Sequence, residues 1–144
     1  MAASISVRPA VRGDAGAIAV LLTQLGYPVR AEEVIVRLGR MNGLKDVIVL
    51  VADIEEEVVG VITGHVFPSI HDSLPVAQLT SLVVNEDHRK LGVGARLTAA
   101  VEEWAREIGA ARITLTSGLH RDEAHAFYKH LGYQQTGVRL AKEL

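Results

Sequence analysis

Seven consecutive residues, Arg89-Lys90-Leu91-Gly92-Val93-Gly94-Ala95, combine two cations, two glycines and the start of a helical apolar pattern. The apolar run Leu79 to Val84 precedes them, across a polar turn from Asn85 to His88. A strand, a basic glycine-bearing turn and a helix start make a site for a phosphate-bearing ligand. The first N–H groups of a helix have no intrahelical partner, and the helix dipole favours negative charge at that end. Glycines let the backbone approach the ligand, and Arg89 and Lys90 add charge. No Gly-Lys-Ser/Thr follows, so this is not a Walker loop. Leu97 stands where a dinucleotide fingerprint places its third glycine.

The elements that position this turn are legible from spacing. Ile5-Ser6-Val7-Arg8 alternates and reads as a short strand ending at Pro9. Asp14 reads as the cap of a helix carrying Ile18, Leu21, Leu22 and Leu25, which Gly26 and Pro28 stop. Ala31 to Met41 reads as a second helix, with Val34, Ile35 and Leu38 inward. Val47 to Ala52 reads as a strand rich in β-branched residues, Asp53 to Glu57 as an acidic turn, and Val58 to Phe67 as its hairpin partner, weakened by Gly60 and Gly64. Pro68 to Pro75 reads as a loop and Val76 to Val84 as the strand before the glycine turn. Val93, Leu97, Val101, Trp104 and Ile108 then form a buried helical stripe closed by Gly109. Arg112 to Thr116 reads as a strand, Arg121 to Leu131 as a helix with Ala124, Phe127, Tyr128 and Leu131 on one side, and Tyr133 to Leu140 as a final strand. The order β-α-α-β-β-β-α-β-α-β indicates an α/β (α+β) fold around one mixed sheet.

The chain of 144 residues is expected to form one domain spanning 1–144, long enough to bury roughly 70% of its unfolded surface. A hydrophobic content of 49% supports a packed core. A net charge of −2 argues against a general nucleic-acid binder. With no cysteine there is no disulfide framework, thiolate metal site or cysteine nucleophile. Met1 to Pro9 lacks the apolar core of a signal peptide, and no run has the length of a membrane span, so a cytoplasmic protein without a membrane partner is expected. His120, His125 and His130 are spaced by five, which scatters them around a helix, so no metal site is expected. Glu55-Glu56-Glu57 reads as a solvated turn, with attraction of a cationic substrate as its alternative, and Ser69, Ser73 and Ser117 have no triad partners in sequence.

The Arg-x-x-Gly-x-Gly pattern at Arg89, Gly92 and Gly94 resembles the acetyl-CoA pyrophosphate loop of the GNAT N-acetyltransferases. The stretch Leu79-Thr80-Ser81-Leu82-Val83-Val84 resembles that family's central strand. Asp122 to Tyr133, with Ala124, Phe127, Tyr128, Gly132 and Tyr133, resembles its Ala-x-x-Phe-Tyr-x-x-x-Gly-Phe/Tyr signature. The resemblance covers nearly the whole chain. It implies a mixed, mostly antiparallel central sheet flanked by helices, with acetyl-CoA in a cleft between the central strand and Arg112–Thr116. Leu82, Val83 and Val84 would then face the pantetheine arm with backbone groups, and the amides of Arg89, Lys90, Leu91, Gly92, Val93, Gly94 and Ala95 would hold the pyrophosphate.

By the same resemblance Tyr128 is the candidate general acid. A phenol with an ordinary pKa near 10 is protonated at neutral pH and can protonate a departing CoA thiolate. Its alternative role is packing beside Phe127. Two positions depart from the family pattern. Arg121 stands where members often carry an Asn that contacts the cofactor, and is read as a candidate contact to a CoA phosphate. Leu79-Thr80-Ser81 holds no carboxylate where many members place a general base. An alkylammonium must lose a proton before it can attack. His120, His71 with Asp72, and a water held by Thr80, Ser81 and backbone carbonyls are the candidates for accepting it.

The resemblance implies direct attack of a primary amine on acetyl-CoA, with a small-molecule acceptor preferred because no added segment suggests protein docking. A protein lysine or N-terminal acceptor is the variant reading, and a non-catalytic acyl-CoA-binding module the competing one. A homodimer is expected from the resemblance alone.

Overall fold

A computed structural model describes residues 4–117 and 122–144. Five strands form one sheet in the order β1 (Ile5–Pro9), β2 (Val47–Ile54), β3 (Glu57–Phe67), β4 (Val76–Val84) and β5 (Ile113–Leu115). The helices are α1 (Ala15–Leu25), α2 (Ala31–Met41), α3 (Val93–Ile108) and α4 (Asp122–His130). The chain divides into two compact units, one ending at Thr114 and one running from Leu115 to Leu144.

In the first unit, β1 to β4 pair antiparallel, each with the next strand in the chain. Val7 stands opposite Ala52, Val51 opposite Val61, and Val61 opposite Val83. β5 follows β4 in the sheet. Ala111 N–H donates to the Pro75 carbonyl at 2.8 Å and Ala77 N–H to the Arg112 carbonyl at 2.9 Å, so the two segments advance in the same direction.

Where helices cover both faces of the sheet, the strands are apolar on both. On one face Ile18, Leu21, Val34 and Leu38 of α1 and α2 close over Val49, Val51, Val61 and Val83. α3 lies on the other face, and glycines set how near it comes. A Cβ on Gly60 would stand 3.0 Å from both Val93 Cγ1 and Leu97 Cδ1, and one on Gly64 would stand 2.8 Å from Val101 Cγ1. Gly60 and Gly64 therefore do not mark a weak strand. They are where the helix rests on it. Val93, Leu97 and Val101 of the expected stripe are buried, while Ile108 is exposed at its end.

Asp14 does not cap α1. Its carboxylate accepts hydrogen bonds from Val11 N–H at 2.8 Å and from the two terminal nitrogens of Arg8 at 2.8 and 2.9 Å. Arg8 Nε binds Asp53 at 3.0 Å, which ties the β1 exit to β2. The acidic turn is tighter than its sequence suggests, with only Glu55 and Glu56 between β2 and β3, both at positive φ (53° and 69°).

In the second unit α4 is followed by a turn and then by residues 133–144 without regular structure. The expected strand Tyr133–Leu140 is thus not formed among the described residues. Val138 and Leu140 alternate as a strand would, but both are exposed. Alternation supplies a propensity, and a strand also needs a paired neighbour.

Candidate active site

β4 is the strand on which the polar positions fall. Val76, Ala77, Leu79 and Val83 are buried, while Gln78, Thr80 and Ser81 interrupt the apolar run. Its pairing with β3 slips at one point: Thr63 stands opposite Ser81, whereas Gly64 stands opposite Leu79. Thr80 is the extra residue, a β-bulge. Its hydroxyl lies 2.6 Å from that of Thr63. A bulge locally disrupts the ladder and re-aims the strand. β5 ends three residues after Arg112, whereas β4 continues seven residues past Ala77, the residue bonded to Arg112. The edge of β4 at Leu82–Val84 that faces away from β3 thus extends beyond the end of β5.

The exit from β4 is tightly held. Asn85 N–H donates to the Val59 carbonyl at 2.7 Å, and Asn85 Oδ1 accepts from Asp87 N–H at 2.9 Å. Glu86–His88 form a single 3-10 turn, closed by His88 N–H donating to the Asn85 carbonyl at 2.9 Å. Lys90 and Gly92 both take positive φ, 67° and 86°. This left-handed conformation costs a non-glycine residue such as Lys90 about 1–2 kcal/mol. Gly92 precedes α3, and no side chain among the described residues caps it. Arg96 N–H makes the first helical bond, to the Gly92 carbonyl at 3.1 Å, so the amides of Val93, Gly94 and Ala95 precede the helical ladder. Arg89, Lys90 and Arg96 are exposed around this end, while Val93 is buried and anchors it. Uncapped amides, a helix dipole and three cations suit a diphosphate.

The structure brings Leu82, Val83 and Val84 into continuity with the Arg89–Ala95 turn within the first unit. Tyr128 lies in α4 of the second unit. Its ring meets Phe127 edge-on at 5.2 Å and Tyr133 at 5.8 Å, and its carbonyl accepts Tyr133 N–H at 3.0 Å. His120 and Arg121 lie outside the described residues. In the β3–β4 loop Asp72 makes a two-pronged ion pair with Arg112 at 2.8 and 3.0 Å. Hydrogen bonding from Arg112 holds the Asp72 carboxyl below its ordinary pKa, which makes it a poor proton acceptor at neutral pH. His71 Nε2 stands 3.7 Å from Asp72.

Sequence reasoning missed the bulge and its partner Thr63. Its trace in the sequence is the Thr80-Ser81 pair inside an apolar strand. Which residue becomes the extra one depends on the register with β3.

The family model described as Acetyltransferase (GNAT) family matches residues 20–133. An aminoalkylphosphonate N-acetyltransferase of Salmonella typhimurium is 36% identical over 88 residues, covering 61% of this chain and 57% of that protein. The chain spans about half the length of the curated relatives it matches. Among solved structures, a transcriptional regulator from Bacillus halodurans C-125 superposes with a TM-score of 0.91 at 21% identity, covering 98% of this chain and 100% of that one. The aminoglycoside N-acetyltransferase AAC(6')-Iy, in complex with CoA, superposes with a TM-score of 0.87 at 16% identity, covering 100% of this chain and 97% of that one. The bulged strand, the uncapped helix after it and the matching family model agree: this chain belongs to the GNAT acetyltransferase family.

Proposed function

We propose that this protein is an acetyl-CoA-dependent N-acetyltransferase acting on a primary amine of a small molecule. The observation that carries the reading is the run of β4 past the end of β5 into an uncapped helix start ringed by Arg89, Lys90 and Arg96. It presents backbone donors in a line, as a pantetheine diphosphate requires. Leu82 and Val84 would bind the pantetheine amides through N–H and C=O, and the 89–95 amides the diphosphate. Arg121 is assigned to a CoA phosphate.

The amine attacks the thioester carbonyl directly. Backbone N–H groups beside the bulge polarise that carbonyl as charge develops on its oxygen. Tyr128 protonates the leaving thiolate. His120 remains assigned as a candidate base. The acceptor is taken to be small because one relative is named an aminoalkylphosphonate N-acetyltransferase and another an aminoglycoside N(6')-acetyltransferase.

Calorimetric titration with acetyl-CoA, followed by a panel of primary amines scored by CoA release, tests the reading. Binding with turnover on a small amine is the expected result. Binding without turnover on a wide panel would favour a non-catalytic acyl-CoA module. Tyr128→Phe is expected to lower kcat about 100-fold with acetyl-CoA affinity retained.

A further inference from the structure

From Val61 to Phe67 the residues of β3 alternate between the two faces of the sheet, and their neighbours say which face each takes. Val61 is buried among Ile18, Leu21 and Val34 of α1 and α2. Gly64 is backed by Val101 and Trp104 of α3, and Val66 clusters with Trp104 and Ala105. Thr63 and His65 therefore lie on the α1/α2 face. The register carries that face across the sheet. On β2, Val49 stands opposite Thr63 and Val47 opposite His65. On β4, Ser81 stands opposite Thr63 and Gln78 opposite His65, with Thr80 joined to Thr63 through its hydroxyl.

Along this face an apolar floor changes abruptly to a polar one. Val49, Val51, Val61 and Val83 are buried beneath α1 and α2. Past them come Thr63, Thr80, Ser81, His65 and Gln78, none of them buried. Polar residues on this face of two interior strands, β3 and β4, depart from the pattern that built the rest of the face, and such conflicts concentrate at functional sites. The strip begins at the bulge and ends on the rung His65–Gln78. Among the described residues, His65 is the one titratable side chain of the strip. The residues opposite it on both neighbouring strands, Val47 and Gln78, carry no charge.

We propose that His65 accepts the proton of the acceptor ammonium, through a water held on the hydroxyls of Thr63 and Thr80 and on Gln78. The inference rests on the N-acetyltransferase reading and supplies, in place of His120, the base for which β4 carries no carboxylate. Thr63 and His65 are two residues apart on one strand, about 6.6 Å, a span suited to one bridging water. Neutral imidazole takes one proton from R–NH3⁺ and later releases it to solvent. The freed amine forms the C–N bond to the carbonyl carbon. The tetrahedral intermediate then breaks the C–S bond, the nitrogen gives up its second proton, and the thiolate takes one up, leaving amide and thiol.

The test compares wild type, His65→Gln and the double variant His65→Gln/Gln78→Glu. Each is assayed with the best alkylamine of the panel and with hydrazine, whose weaker basicity leaves it neutral at mildly alkaline pH. Acetyl-CoA affinity is measured in parallel. His65→Gln should retain acetyl-CoA affinity, lose about 100-fold in alkylamine kcat, and lose less than about threefold with hydrazine. Placing a carboxylate across the rung, in the double variant, should recover at least about tenfold of the alkylamine rate. Equal losses on both nucleophiles, or no loss on either, overturn the assignment while leaving the acetyltransferase reading in place. If wild type binds no acetyl-CoA, both fall together.

Discussion

Thr80 Oγ1 stands 2.6 Å from Thr63 Oγ1 at the point where the β3–β4 register slips by one residue. The slip places Thr80 and Ser81 together against Thr63, so polar groups gather where the strand would otherwise present one side chain. The backbone of Leu82–Val84 follows directly, past the end of β5. A single inserted residue thus concentrates the hydroxyls and re-aims the edge of the strand. Thr80→Val keeps the shape and removes the hydroxyl pair. Its stability should fall by no more than about 1 kcal/mol, since Thr80 is exposed. Acetyl-CoA affinity should hold, and amine turnover should fall about fivefold to tenfold. Thermal melts, calorimetry and CoA-release assays on the one variant measure all three.

The seat of α3 on the sheet gives a second expectation. A Cβ at Gly64 meets Val101 Cγ1 at 2.8 Å, Ile48 Cγ2 at 3.2 Å and Trp104 Cζ3 at 3.4 Å. Contacts come from both the helix and the neighbouring strand, so no single rotamer change relieves them. Gly64→Val should cost about 1–3 kcal/mol in urea unfolding. Gly60→Ala is tighter against the site itself, because Val93 Cγ1 at 3.0 Å belongs to the first residue of α3. That variant should weaken acetyl-CoA binding more than Gly64→Ala does.

The same glycines show what sequence could and could not say. Stripe positions Val93, Leu97 and Val101 announce a helix face, and β-branched runs announce β2 to β4, because period and propensity are local properties. Gly60 and Gly64 looked like strand weaknesses, since their purpose appears only when α3 is laid on β3. The glycine turn was legible because its residue types carry its conformation, although Lys90 adopts a positive φ that its side chain disfavours. Asp14 has the residue type of a cap, yet Arg8 of β1 and the Val11 N–H claim its carboxylate. The bulge at Thr80 and the face of His65 depend on register, which a single strand does not encode. Tyr133–Leu140 alternates correctly but finds no strand partner among the described residues.

The Arg8–Asp14 pair predicts an acid-sensitive contribution to stability. Hydrogen bonding from Arg8 is the largest cause holding the Asp14 carboxyl below its ordinary value, and Asp14 in turn raises the Arg8 guanidinium. A carboxyl whose folded pKa is depressed stabilises the fold above its unfolded value, near 4, and the benefit is lost as pH falls through the folded value. Asp14→Asn should therefore cost about 1–3 kcal/mol at neutral pH, because it leaves Arg8 without its buried partner. The gap to wild type should narrow steadily below about pH 4. Urea unfolding of both proteins at neutral and acidic pH measures the convergence, and a gap constant across that range would remove the pair from the account.

Lys90 separates charge from conformation in the anion-binding turn. Its φ of 67° is a glycine-like conformation held by a long cationic residue. Lys90→Ala removes the charge and keeps the strain, whereas Lys90→Gly removes both. Both variants should bind acetyl-CoA more weakly than wild type, and in both the dependence of affinity on salt should become shallower, since one cation near the diphosphate is gone. Only Lys90→Gly should be stabilised relative to Lys90→Ala, by about 1 kcal/mol, because glycine alone takes the left-handed region without a steric cost. Thermal unfolding without ligand isolates the conformational part, and calorimetry at two salt concentrations isolates the electrostatic part. Equal stability in the two variants would mean that the turn relaxes away from the left-handed conformation once Lys90 is replaced.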